Sequence, residues 1–207
     1  NREWVSAYTQ WDQVPIMNMQ SAKKHGSPAP WADHHMFKET VLADTQNRFR
    51  SYIREKVRGA RVGFEGVGGD VQSFRGRDLW KLTRQMDMVG TYPSVMFMKR
   101  ARSFTGPKVH RSIWMGGAYI EGAIQFDEPR YHYRIWRSLF EGCTSAWYYL
   151  GFGSVGAVLT PELNTSHQFD IFAEDIREVK HGIFRLIHGA KAPRPQVALY
   201  YSQPSTH

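Results

Sequence analysis

With 207 residues, 42% apolar and 22% charged, the chain has room for one packed domain or one domain plus the start of another, and its composition excludes a disordered polypeptide. Its net charge of +8 comes from Lys and Arg dispersed among acids, with no nucleic-acid module signature even around Lys99, Arg100 and Arg102, so a solvated surface is expected rather than a nucleic-acid site. The single cysteine, Cys143, excludes an intrachain disulfide and a Cys-based zinc site, and no apolar run reaches the roughly 20 residues of a membrane span.

Asn1-Arg2-Glu3-Trp4 carries neither an initiator Met nor a signal peptide and reads as a cut end. The compartment is therefore left open, with the lone cysteine pointing toward a reducing, cytoplasmic one. Residues 1–33, with Pro15, Pro28, Pro30 and a polar stretch over 20–27, read as an irregular excursion packed on a larger body. From His34 the recurrence of Phe37, Val41, Thr45, Phe49, Tyr52/Ile53 and Val57 predicts a helix ended by Gly59. A short β-prone run over 60–64 follows and closes in the loop Glu65-Gly66-Val67-Gly68-Gly69-Asp70.

The alternation then repeats. Helices are expected over 77–86, 95–104, 131–140 and 169–187, and strands over 87–92, 109–115 and 144–150. Pro193 and Pro195 mark a linker, and 197–201 is expected to start one more strand. Strands alternating with helices argue for βαβ units and a parallel sheet. Four such steps amount to half of a (β/α)8 barrel. A doubly wound sheet is the alternative, but Gly66-Val67-Gly68-Gly69 has the wrong spacing for a dinucleotide turn and leads into Val71-Gln72-Ser73 rather than a helix. The expected organisation is an excursion over 1–33, a half TIM barrel (strands five to eight) over 34–192, and a linker with the first strand of a following domain over 193–207.

Seven Trp, ten Tyr and twelve Phe make up 14% of the chain. Such residues can fill a core, and they can also form a sugar cleft, because the C–H-rich faces of sugars stack on flat rings. Barrel enzymes place their chemistry at the C-terminal ends of the strands. Those ends hold Glu65, Asp70, Tyr92, Trp114, Glu121 and Tyr149. Glu65 and Glu121 are the two carboxylates best placed by strand geometry and are the candidate catalytic pair. Tyr92, Trp114, Asp70 and Tyr149 are the candidate substrate-binding residues. His34, His35 and Glu39 mimic a helical metal pair but lack a third ligand, so neither metal nor cofactor is expected. No Ser sits in a G-x-S-x-G elbow.

Several stretches carry a family likeness. They are Asn1-Arg2-Glu3-Trp4 with Trp11-Asp12-Gln13-Val14-Pro15; Trp31-Ala32-Asp33 with Arg48-Phe49-Arg50; Asp87-Met88-Val89-Gly90-Thr91-Tyr92-Pro93; Arg134-Ile135-Trp136-Arg137 with Ser145-Ala146-Trp147-Tyr148-Tyr149; and Val197-Ala198-Leu199-Tyr200-Tyr201. In this order they resemble the segments of family 42 glycoside hydrolases that follow the fourth barrel strand. The resemblance implies a β-galactosidase-like retaining hydrolase acting on a carbohydrate, with two catalytic Glu and homo-oligomer assembly through the next domain. It also implies that this stretch alone is an incomplete enzyme. The acid/base Glu of the family lies in an Asn-Glu pair upstream of Asn1, and no Asn-Glu occurs here. The family's nucleophile position, counted from Trp114, holds Gly117, with Glu121 the nearest carboxylate. A catalytically inactive carbohydrate-binding relative, or a glycosidase using a different carboxylate pair, are the alternatives.

Overall fold

The computed structural model describes residues 4, 6–67, 76–116, 127–153, 156–190 and 195–203. The chain divides into two compact units, each assembled from separate stretches: Asn1–Arg58 with Gly69–Leu82 and Val197–His207, and Gly59–Gly68 with Thr83–Gln196.

In the first unit, the segment expected to be irregular is partly helical. A 3-10 turn at Trp11–Gln13 precedes α1 (Met19–His25), whose N-terminus is capped by Asn18, the side chain accepting from the Ser21 N–H at 2.8 Å. Gly26, at φ +70°, ends α1 in the left-handed conformation that glycine adopts most readily. The polar stretch is thus a capped helix, and its polarity reflects exposure rather than irregularity.

Helix α2 (Ala29–Lys56) starts five residues before the expected His34, because Pro30 in its first turn needs no intrahelical N–H partner. Its buried face also differs from the expected one. Trp31, His35, Glu39 and Ala43, spaced four apart, point inward, while Phe37, Val41, Phe49, Tyr52, Ile53 and Val57 are exposed. Periodicity identifies a face, but what lies against it decides burial.

Glu39 is 1% exposed. Its carboxylate accepts from Gln203 Nε2, which also donates to the Arg77 carbonyl, and Lys81 Nζ lies 3.9 Å away. Asp78 caps α3 (Leu79–Thr83) by accepting from the N–H groups of Trp80 and Lys81. No strand forms at 197–201, where Val197, Leu199 and Tyr200 stand exposed and, among the described residues, no strand pairs with them.

Burial holds the Glu39 carboxyl above its ordinary value, an effect opposed by the Gln203 hydrogen bond, reinforced by Asp78 and offset by Lys81. The folded state therefore binds this proton more tightly than the unfolded chain, where the group titrates near ~4.3. Its contribution to stability grows as pH falls from neutral through the raised value and levels off below ~4.3. Glu39→Gln is expected to remove this component. Thermal melts at pH 7 and pH 5 should show a smaller gain on acidification in the variant, and equal gains would contradict the assignment.

In the second unit, four parallel strands form one sheet in the order β1-β2-β3-β4: β1 (Gly63–Val67), β2 (Met88–Thr91), β3 (His110–Met115) and β4 (Ser145–Tyr148). Between and after them run α4 (Val95–Phe104), α5 (Glu128–Phe140) and α6 (His167–Glu178). Ends are set locally: the Asp127 carboxylate caps α5, followed by Pro129 in the first turn, and the Ser166 hydroxyl caps α6.

The expected helix over 169–187 is interrupted. After α6 come a π turn at Val179–Ile183 and a short α7 (Phe184–Gly189), because Gly182 at φ +133° leaves the helical region.

The strand side chains sort cleanly. Ile113 and Met115 of β3 pack with Ala146 and Tyr148 of β4 against Met98 of α4, Tyr131 and Ile135 of α5, and Ile171 and Phe172 of α6. A second cluster joins Val89 of β2 with Phe64 of β1, Val62, Met86 and Val109. Ser112, Trp114, Ser145 and Trp147, alternating with the first set, face away from the helices. Cys143 lies inside the helix-side core, where burial pushes its thiol up to about 12 and leaves it un-ionised at neutral pH. The lower ends are tied together as well: Arg61 donates to His110 Nε2 at 3.0 Å, and His110 Nδ1 lies 3.3 Å from Thr144 Oγ1.

Candidate functional site

Pairing between β1 and β2 is regular at Phe64↔Val89 and resumes at Val67↔Thr91. Two residues, Glu65 and Gly66, therefore oppose the single Gly90. This is a β-bulge with Gly66 at φ +80°, the left-handed conformation that such a bulge asks of its glycine. The bulge turns the Glu65 side chain across the backbone of Gly90. A Cβ built on Gly90 would lie 2.7 Å from both Glu65 Cγ and Oε1, so only glycine admits the carboxylate there.

Crossing Gly90 brings Glu65 to the next strand but one. Trp114 Nε1 donates to Glu65 Oε1 at 2.8 Å. The Trp114 ring stacks on Tyr149, centroids 5.2 Å apart and planes 21° from parallel, and meets Tyr92 at 5.9 Å in a tilted arrangement. The Tyr149 N–H donates to the Met115 carbonyl, extending the β3–β4 ladder one residue past β4. Each strand thus contributes one member of the group. Four of the six sequence candidates, far apart in the chain, converge at the C-terminal edge of the sheet. Asp70 and Glu121 lie outside the described residues. Among the described residues at and just beyond the strand ends, Glu65 carries the carboxylate.

Glycine again makes room one layer up. Gly116, at φ +80°, ends β3 so close to β4 that a Cβ would sit 2.5 Å from the Tyr148 ring and 2.6 Å from the Tyr149 carbonyl. Neither Gly90 nor Gly116 stood out in the sequence, where nothing distinguishes a glycine that admits a neighbour from one in a loose turn. Trp147, adjacent to Trp114 in register, is 46% exposed on the same face.

The arrangement offers an acceptor oxygen beside two stacked rings and a third at an angle. It suits a ligand with an apolar face and hydroxyls at its rim. His34, His35 and Glu39 belong to the other unit, with His35 tilted against Trp31 at 4.4 Å, and among the described residues no group of His, Cys, Asp or Glu could hold a metal. No protein-family model, curated protein or solved structure matches the chain.

If Gly90 is glycine to let Glu65 through, Gly90→Ala should displace the carboxylate and break its bond to Trp114. The exposed end of Glu65 can swing away, so the stability cost should stay near 1 kcal/mol, at the low end for overpacking. Tryptophan emission should shift while the unfolding midpoint changes little. An unaltered spectrum would show that Glu65 keeps its place.

Proposed function

We propose that the sheet is the C-terminal half of a (β/α)8 barrel and that the chain is part of a retaining glycoside hydrolase of the β-galactosidase kind. The observation that carries this reading is the convergence of Glu65, Trp114, Tyr92 and Tyr149 at the C-terminal ends of four parallel strands. Barrel enzymes build their sites at that edge.

The strand order supports the barrel. A doubly wound sheet reverses its order at a switch point and carries helices on both faces. Here the order runs β1-β2-β3-β4 without reversal, and α4, α5 and α6 share a core with one face. The other face presents Ser112, Trp114 and Trp147, polar and aromatic residues suited to a barrel interior and its mouth. Among the described residues the outer edges of β1 and β4 have no strand partner, and the unpaired N–H and C=O groups of such edges are what closure into a barrel removes. Four further strands would close both edges, and the upstream half would hold the acid/base carboxyl.

The substrate is a neutral galactoside or related glycoside, and the complete enzyme assembles as a homo-oligomer. Gly117 at the position where the family carries its nucleophile favours a second reading, a carbohydrate-binding relative without activity. One titration separates sugar recognition from other ligand classes. Galactose should perturb tryptophan emission in the wild type but not in Trp114→Phe with its lost indole donor, and affinity should hardly change with salt. A steep fall in affinity with added salt would indicate a polyanion and reject the sugar assignment.

A further inference from the structure

On its helix side the second unit holds a cavity of about 480 Å³, within the range of about 300–1,000 Å³ that small-ligand sites occupy. Its walls are apolar: Ile135 and Leu139 of α5, Phe172 and Ile176 of α6, Val179 of the π turn and Phe184 of α7. Ser138 and Thr144 also reach it, but their hydroxyls already donate within the protein, to the carbonyls of Ile135 and Arg111. Ile135, Leu139, Phe172 and Val179 are buried, so the apolar lining is recessed between helices and not displayed on an outer face. Trp114 lies on the opposite face of the sheet, and the cavity is separate from the site described above.

The break in the last long helix shapes both the cavity and its rim. The arm running from α6 through the π turn to α7 is tied down at each end. Asp175 of α6 accepts from Trp136 Nε1 of α5 at 3.2 Å and lies 2.8 Å from His132 Nδ1, while His188 Nε2 of α7 lies 3.2 Å from the Cys143 carbonyl oxygen. Between these ties Gly182, at φ +133°, takes the arm out of α-helical geometry. In an unbroken α-helix, residues five apart point about 140° away from each other. Lys180 and Arg185 are five apart, yet both line this cavity, because the wider π turn separates them. Both are exposed, and among the described residues neither forms an ion pair. No Asp or Glu lines the cavity.

We infer that this cavity binds a free fatty carboxylate, its alkyl chain between α5 and the α6–α7 arm and its head group at Lys180 and Arg185. Charge complementarity selects the anion, since an alkylammonium would meet two like charges. The recessed apolar walls select a single chain: a flat bilayer could not reach them, and a sugar would leave its hydroxyls against Ile, Leu and Val. The inference does not depend on the glycoside reading.

Titration calorimetry with octanoate, decanoate and decanol, all below micelle-forming concentrations, tests it in the wild type, in Lys180→Ala/Arg185→Ala and in Ile176→Trp. One decanoate should bind per chain, roughly 15-fold tighter than octanoate, the effect of burying two further methylenes. Removing both exposed cations should weaken decanoate about five-fold, the scale of two exposed ion pairs, and leave decanol unchanged. Ile176→Trp, which fills the cavity from a half-buried wall, should abolish binding of both. If circular dichroism shows that this variant does not fold, the chain-length series and the charge variant decide alone. Affinity independent of chain length, or decanoate bound equally by the wild type and the charge variant, overturns the assignment. So does binding to anionic lipid vesicles without binding of free decanoate, which would make this face a membrane contact.

Discussion

In the retaining hydrolase proposed above, Glu65→Gln and Glu121→Gln, made separately, are expected to behave differently toward an activated aryl galactoside. A retaining hydrolase depends on one carboxylate that forms the glycosyl-enzyme and a second that supplies and recovers a proton. Removing the nucleophile should lower kcat on the order of 10⁴-fold, the scale at which loss of one essential group acts, while galactose still binds. Glu65 already holds the Trp114 indole N–H on Oε1 and is set against the aromatic platform. If its role is to accept a sugar hydroxyl, Glu65→Gln will raise KM more than it lowers kcat. Near-normal kcat in both variants would remove both residues from the catalytic pair. A wild type that binds galactose and hydrolyses nothing would establish the inactive relative instead.

The second large effect is expected at Gly116, where two costs coincide. An L side chain at φ +80° costs roughly 1–2 kcal/mol. A Cβ at 2.5–2.6 Å from the Tyr148 ring and the Tyr149 carbonyl adds an overpacking cost of about 1–3 kcal/mol, because the obstacle includes backbone and cannot rotate away. Gly116→Ala should lower the unfolding midpoint by roughly 5–15 °C for a protein of this size. It should also weaken galactose binding, since pushing β4 outward carries Tyr149 off Trp114. Gly106→Ala is the control: nothing lies within 4 Å of its Cβ position, and its midpoint should barely move. Equal shifts in the two variants would mean that β3 and β4 do not approach as closely as described.

Local signals in the sequence were sufficient for much of the α/β framework. The strand cores at Met88–Thr91, His110–Met115 and Ser145–Tyr148 lie within their expected ranges, and α4 spans Val95–Phe104 as read from its pattern. Met88–Thr91 lies between Asp87 and Pro93, and His110–Met115 stops at Gly116; such punctuation acts over a few residues whatever the surroundings. The same reasoning placed Glu65, Tyr92, Trp114 and Tyr149 near strand ends, because alternation of strand and helix already implies which end carries the loops.

Other features depended on partners distant in sequence. The apolar stripe of α2 from Phe37 to Val57 is exposed and the line through Trp31, His35, Glu39 and Ala43 is buried, because burial belongs to a pair of surfaces and not to one helix. Residues 197–201 have strand composition but no strand, since a strand exists only through the neighbour that accepts its hydrogen bonds. The helix expected over 169–187 breaks at Gly182, a residue that helices often tolerate. The sequence by itself determined which residues stand at the strand ends. Tertiary structure decided that four of them touch. That contact required the bulge that turns Glu65 over Gly90 and the close approach of β3 and β4 at Gly116, two backbone events set by strand pairing across dozens of residues.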